Sequence, residues 1–419
     1  MIQKLLKHLQ EQAIAYVILN GYEELFNGTT YKGDVDILFK EKTFAKIESI
    51  LELFCELEHY KIVQIYHQEV YAKNIFLFNP KTGQLLNLDL YGRLHRKNTT
   101  FFSEEDIFTN VTTFKGSSIP APHHEFFHYL LKKIDKNNFT QTSFDHLRSL
   151  YMANKESCSA VLKQNFVSKS DLIIKSFEKN NLEEIQRNQR VLMVDVIENN
   201  AFNPIQAIKN NYRILKRILR PTGIAISFLG PDGSGKSTII KGLFDKISPY
   251  RNTAYFHLKP IVHENTNKHN VTHNPHKYKP YSKLKSYGKL LYFIGQYNIG
   301  WVKNIITLKI RSTLVVFDRY FDDLLVDTKR YRYGGGIVIA KLSRVFIKKP
   351  ELYFILTADA DVIYARKQEV ERTELETQIE AYRALADNKT YFNIDTNRSP
   401  EEIVNEVFSV LMKKMNGRY

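Results

Sequence analysis

Four short apolar runs, AYVILN, DVDILF, NIFLFN and LLNLDLYG, lie within the first 120 residues and are separated by polar turns. Their length predicts strands, and FAKIESILELFCEL, with apolar residues three and four apart, predicts a helix among them. Residues 1 to about 120 therefore read as an α/β or α+β unit. From about 121 to 220 the strand pattern fades. HEFFHYLLKKI, SFDHLRSLYMA and PIQAIKNNYRILKRILR keep helical spacing and predict a helical middle section. Pro221 and Gly223 punctuate the chain there. Over 221–419 the runs IAISFL, TAYFHL, TLVVFD, LYFILT and YFNID alternate with helical segments, the pattern of a parallel sheet with helices on both faces. Ser399, Pro400 and Glu402 predict a capped start for the last helix.

At 419 residues the chain accommodates two or three domains, and 43% apolar with 25% charged residues is ordinary for soluble cores. Its formal charge of +15 points to anionic partners such as nucleotides, sugar phosphates, nucleic acid or an anionic membrane surface. Cys55 and Cys158 are the only cysteines, which excludes a disulfide framework and a thiolate metal cluster. The first 20 residues lack the continuous apolar core and cleavage site of a signal peptide, and no apolar run reaches the roughly 20 residues that span a bilayer. A cytoplasmic protein without a transmembrane segment is expected. Nothing alternates aromatic and basic residues as an RNA-binding sheet does, so nucleic acid is not the expected partner.

The segment FLGPDGSGKST matches G-x-x-x-x-G-K-[ST] and falls between a predicted strand and a predicted helix. In such a loop, glycines let successive N–H groups face phosphate oxygens at a helix N-terminus. The candidate nucleotide-binding residues are Gly230, Asp232, Gly233, Ser234, Gly235, Lys236, Ser237 and Thr238. Lys236 would reach the terminal phosphates of ATP, and Ser237 would hold Mg²⁺ together with Asp318, which ends the apolar run TLVVFD. No guanine-specifying N-K-x-D and no LSGGQ-like signature accompanies the loop, which excludes a GTPase and a transporter-type ATPase.

From about 222 to 415 the chain resembles the thymidylate kinase branch of the nucleoside monophosphate kinases. The resemblance rests on DGSGKST, Asp318-Arg319-Tyr320, Gly334-Gly335-Gly336, ILTADADVIYARK, ERTE at 371–374 and IDTNRSPEEI. It implies a P-loop kinase that uses ATP and Mg²⁺, with Asp232 on the acceptor sugar and Arg319 on the acceptor phosphate. Asp318 would serve the metal or the acceptor, and a homodimer is implied. The loop itself carries no arginine, so Arg366 and Arg372 in the lid-like segment are the candidate transition-state cations. Their alternative is solvated helix charge paired four residues away. The family's acceptor motifs are replaced by FHLKPIVHEN and Asp327-Thr328, and an insert at about 259–285 carries His263, His269, His273 and His276. Arg330 and Arg332 in RYRYGGG could also face the acceptor. The expected acceptor is a small anion: dTMP, another nucleoside monophosphate, or a sugar or polyol phosphate.

In KGDVDILF, strand alternation puts Asp34 and Asp36 on one face. Two such carboxylates repel, and a cation between them resolves the repulsion. Asp89, in a later strand, would complete a metal site of Asp34, Asp36 and Asp89. With the turn Asn20-Gly21-Tyr22 ahead of Asp-x-Asp, residues 14–91 resemble the nucleotidyltransferase superfamily, although Tyr22 stands where active families place serine. The expected organisation is a nucleotidyltransferase-like domain at 1–120, a helical spacer at 121–220 and a kinase domain at 221–419. Two other readings stay open. In one the front domain is the main catalyst, acting on a sugar or polyol phosphate that the kinase domain supplies. In the other the chain is a nucleotide-gated binding protein.

Overall fold

The computed structural model describes residues 2–27, 34–96, 99–198, 204–246, 249–261, 278–368 and 370–419. The chain divides into two units, Met1–Leu215 and Lys216–Tyr419. No helix among the described residues is long and apolar enough to cross a membrane.

In the first unit, strands β1 (Tyr16–Ile18), β2 (Val35–Phe39), β3 (Lys61–Glu69), β4 (Ala72–Phe78) and β5 (Leu85–Tyr91) form one sheet in the order β1-β2-β5-β4-β3. Only β2 and β5 pair in parallel; the other neighbours are antiparallel. Two short hairpins follow, β6 (His95–Arg96) with β7 (Thr99–Thr100) and β8 (Thr112–Phe114) with β9 (Ser117–Ile119). Alternation along β2 sends Val35, Ile37 and Phe39 into a core shared with helices Ile2–Glu11 and Ile47–Glu58. The opposite face carries Asp36 and Leu38, and Leu38 belongs to a second core with Tyr91, Phe126, Leu130 and Phe177. That core is closed by helices Pro122–Asp135, Gln141–Ala153, Lys155–Asn165, Ser170–Glu178 and Leu182–Glu198. Most of the stretch expected as a spacer is thus a helical layer on the first unit's sheet. The apolar stripes of HEFFHYLLKKI and SFDHLRSLYMA are buried there, whereas helix Pro204–Leu219, from PIQAIKNNYRILKRILR, leaves Ile205, Ile208, Tyr212, Leu215 and Leu219 exposed.

The second unit has the parallel sheet that its alternating pattern implies. Strands β10 (Ile224–Leu229), β11 (Asn252–His257), β12 (Thr313–Asp318), β13 (Leu352–Thr357) and β14 (Tyr391–Asp395) take the order β11-β12-β10-β13-β14, every pair parallel. All residues of β10, β12 and β13 are buried, as expected for strands covered on both faces. The last helix, Pro400–Asn416, begins with the capping box formed by Ser399 and Glu402.

Candidate functional site

The central strand β10 fixes where the glycine loop begins. At Gly230 an added Cβ would stand 2.3 Å from the Leu356 carbonyl oxygen, so only glycine lets the loop leave the sheet there. Gly235, with φ of 88°, is the left-handed N-cap of helix Lys236–Asp245. The Lys236 ammonium folds back into the loop and donates to the carbonyls of Gly230 and Pro231 at 2.9 and 2.8 Å. Burial, and then the charge of Arg319, bring its pKa down to about 8. Ser234 is buried beside the ammonium, while Ser237 and Thr238 are exposed in the first helical turn.

Asp318 is the register partner of Phe228, next to the strand end from which the loop departs. One of its oxygens accepts from the Tyr255 hydroxyl at 3.0 Å. The other is buried with no hydrogen-bond partner among the described residues. With the exposed hydroxyl of Ser237, this oxygen makes a donor set that suits a hard divalent ion such as Mg²⁺.

Arg319 adopts φ of 70°, an uncommon backbone state for a residue with a side chain, and its N–H donates to the Phe228 carbonyl at 2.9 Å. Its buried guanidinium gives two hydrogen bonds to Asp323, at 2.8 and 2.7 Å, and another to Asp232. Asp323, fully buried, also accepts the hydroxyls of Tyr331, at 2.8 Å, and of Tyr382. Burial would raise the Asp323 pKa, but the Arg319 charge and the Tyr382 hydrogen bond outweigh it and hold the carboxylate below its usual range. The second oxygen of Asp232 accepts from Arg330. Asp327 holds Arg330 in turn, through its backbone N–H at 3.0 Å and its Nε at 3.2 Å. Asp232 is therefore clasped between two guanidinium groups.

The lid-like segment forms helices Ala360–Arg366 and Arg372–Arg383. An added Cβ on Gly233 would come within 3.1 Å of the Ile363 carbonyl and 3.2 Å of the Lys367 Cβ, so this segment rests directly on the glycine loop. Arg366 is exposed at its helix end. Arg372 instead pairs on the surface with Asp361 at 2.8 Å and Glu376 at 3.3 Å, the solvated arrangement that four-residue spacing allows.

Three cations gather near Tyr331. Lys289 donates to its carbonyl at 2.5 Å and lies 5.4 and 5.5 Å from the ring centres of Tyr281 and Phe293. Lys259 is 4.5 Å from the Phe293 ring and Arg332 is 4.2 Å from the Tyr281 ring. None of the three has a carboxylate partner among the described residues. Burial, then the charges of Lys259 and Arg332, lower the Lys289 pKa to about 8. The insert histidines His263, His269, His273 and His276 lie outside the described residues.

In the first unit Asp36 and Asp89 are register partners on β2 and β5. Asp34 immediately precedes β2 and is exposed, and its charge acts on both Asp89 and Lys132. Where the sequence puts a divalent cation, the Lys132 ammonium contacts the two Asp36 oxygens at 2.9 and 2.6 Å. Burial pushes the Asp36 pKa up, but Lys132, His128 and two hydrogen bonds bring it below the usual value. Asp89 goes the other way, to about 6, through burial and the Asp36 charge. Among the described residues no three His, Cys, Asp or Glu side chains converge as a metal site.

No family model matches the chain. Over 207 residues, 47% of this chain and 97% of the relative, it is 25% identical to the thymidylate kinase of Leptospira borgpetersenii serovar Hardjo-bovis (strain L550). Among solved structures, the thymidylate kinase of Candida albicans aligns with 46% of this chain and 93% of its own, at 18% identity and a TM-score of 0.35. That of Ehrlichia chaffeensis aligns with 46% and 99%, at 21% identity and a TM-score of 0.31. Thymidylate kinase-like similarity covers about half of the chain.

The sequence pattern alone did not single out Asp323, which holds Arg319, or Tyr331 and Tyr382, whose hydroxyls donate to Asp323. Asp323 had a local signal, four residues beyond Arg319. The two tyrosines had none, because they arrive from separate segments.

Proposed function

We propose that the second unit is an ATP- and Mg²⁺-dependent kinase that transfers a phosphoryl group to a small phosphorylated acceptor. One observation carries the reading: a lysine-bearing glycine loop opens a helix beside Asp318, with the guanidinium of Arg319 held next to the same loop by Asp232. The similarity to a thymidylate kinase supports the phosphotransferase class.

On ATP binding, Lys236 exchanges its own loop carbonyls for the β- and γ-phosphates, and the loop N–H groups hold the phosphate chain in line. Bound Mg²⁺, held by Ser237 and Asp318, would neutralise charge between those phosphates. An acceptor phosphate oxygen then attacks the γ-phosphorus, its new P–O bond forming as the bond to the β-phosphate oxygen breaks and ADP leaves. Arg319 and Arg330 grip the acceptor phosphate, and Asp232 serves as their shared anchor, a role that differs from the sugar contact the family resemblance implies. Arg366, next to the segment resting on Gly233, is the better placed of the two lid arginines to meet the transferring group, since Arg372 is already paired. Dimerisation belongs to the same reading, supported by exposed Leu284, Leu291, Tyr292 and Ile299 along helix Lys283–Gly300.

The uncompensated cations Lys259, Lys289 and Arg332 support an anionic acceptor in place of a neutral one. Lys289→Met is expected to raise the acceptor KM about tenfold, one lost charge contact of roughly 1.4 kcal/mol, and to leave the KM for ATP unchanged. With a pKa of about 8, Lys289 is charged below that pH and neutral above it. The wild-type acceptor KM should therefore rise between pH 7 and 9, and the variant should lack that rise.

Labelled ATP offered with a panel of nucleoside monophosphates and sugar phosphates tests the whole reading. Label appearing on one acceptor class supports it. ATP turnover that reaches water alone across the panel would sink it.

A further inference from the structure

Residues three, four and seven apart share a side of a helix, so Glu125, His128 and Lys132 lie on one face of helix Pro122–Asp135. That face covers the strand positions where a nucleotidyl-transferring site would keep its metal. Lys132, with a side chain only 11% exposed, gives its ammonium to both oxygens of the fully buried Asp36, and the Tyr91 hydroxyl adds a third hydrogen bond at 3.0 Å. Asp89 accepts from Asn74 at 2.6 Å and from Gln68 at 3.1 Å. At the glycine turn, the Tyr22 hydroxyl donates to Glu125 at 2.9 Å, which ties that corner to the same helix.

A metal does not fit this arrangement. Mg²⁺ demands carboxylate oxygens at about 2.0–2.1 Å in octahedral geometry and keeps several of its waters. Here the Asp36 oxygens point at an ammonium and a phenol in a buried site. Expelling Lys132 to admit the ion would strand a charge that burial has already stripped of water.

We propose that Lys132 is a built-in replacement for the divalent cation. The Asp36 and Asp89 pair binds no Mg²⁺, and its charge is spent on holding helix Pro122–Asp135 against the sheet. The first unit is then a packed module in which its own lysine takes the place beside Asp36 that a divalent cation would need.

Mn²⁺ bound to the full-length chain, counted by electron paramagnetic resonance with and without ATP, tests this in the wild type, Lys132→Met and the double variant Asp36→Asn/Lys132→Met. Ions bound near the glycine loop are common to all three. The wild type and the double variant are expected to bind equal numbers, and Lys132→Met one more. A wild type that binds one ion more than the double variant, in either condition, overturns the proposal. That comparison removes both charges together and stands even where Lys132→Met does not fold. A folded Lys132→Met that gains no ion overturns it as well.

Discussion

Lys236→Ala should lower phosphoryl transfer by about a thousandfold or more, some 4 kcal/mol of transition-state stabilisation, with little change in thermal stability. The two halves of this expectation have separate causes. Charge that develops on the transferring phosphoryl group is stabilised by a preorganised cation in a site that excludes water, which makes the ammonium worth far more there than on a surface. Without nucleotide the same ammonium is held by two backbone carbonyls of its own loop. Its removal frees acceptors at the rim of a loop whose shape is already set by its glycines. Circular dichroism and melting curves beside the rate assay check both halves. A variant that folds and keeps wild-type turnover would remove the loop from the chemistry.

The parts of the second unit that were legible in the sequence are those that backbone chemistry fixes locally. A glycine loop needs its glycines at set positions, as the 2.3 Å approach to Leu356 at Gly230 shows, and strands buried on both faces must be unbroken apolar runs. Side-chain partnership across distant segments leaves no such trace. Lys132 lies 96 residues from Asp36, and one of two adjacent lysines in the last turn of a helix looks like any solvated charge. The motif KGDVDILF was legible as two aspartates needing a cation. The strand itself begins at Val35, so Asp34 stands at its exposed end while Asp36 is buried, a difference in burial that alternation does not show. The helical stretch was legible as helix from its spacing, but its place on the first unit's sheet depended on aromatic packing, Phe126 and Phe177 among others, that periodicity alone does not assign.

Asp323→Asn is expected to destabilise the second unit by about 3–5 kcal/mol, because it takes the fully buried carboxylate from the buried Arg319 guanidinium and leaves Asp232, shared with Arg330, as its remaining charge partner. For a unit of this size that corresponds to a loss in Tm on the order of 10 °C. The pH dependence follows from the direction of the shift. The folded carboxyl titrates below its usual range, so its contribution is fully present above the unfolded pKa of about 4 and disappears as pH falls through the folded value. The gap between wild type and variant should stay constant around neutral pH and narrow only in acid. Function separates this role from a merely structural one. Arg319 would keep its hydrogen bond to Asp232 but, with one acceptor oxygen at position 323 replaced by an NH2 group, lose the two-oxygen carboxylate hold from behind. The acceptor KM should rise and kcat should fall, while the affinity for ATP, which depends on the glycine loop and Lys236, is preserved. Melting curves from pH 3 to 8, with nucleotide binding and acceptor kinetics on the folded variant, distinguish the outcomes. Equal loss of ATP and acceptor affinity would mean that Asp323 supports the fold alone and that Arg319 does not face the acceptor.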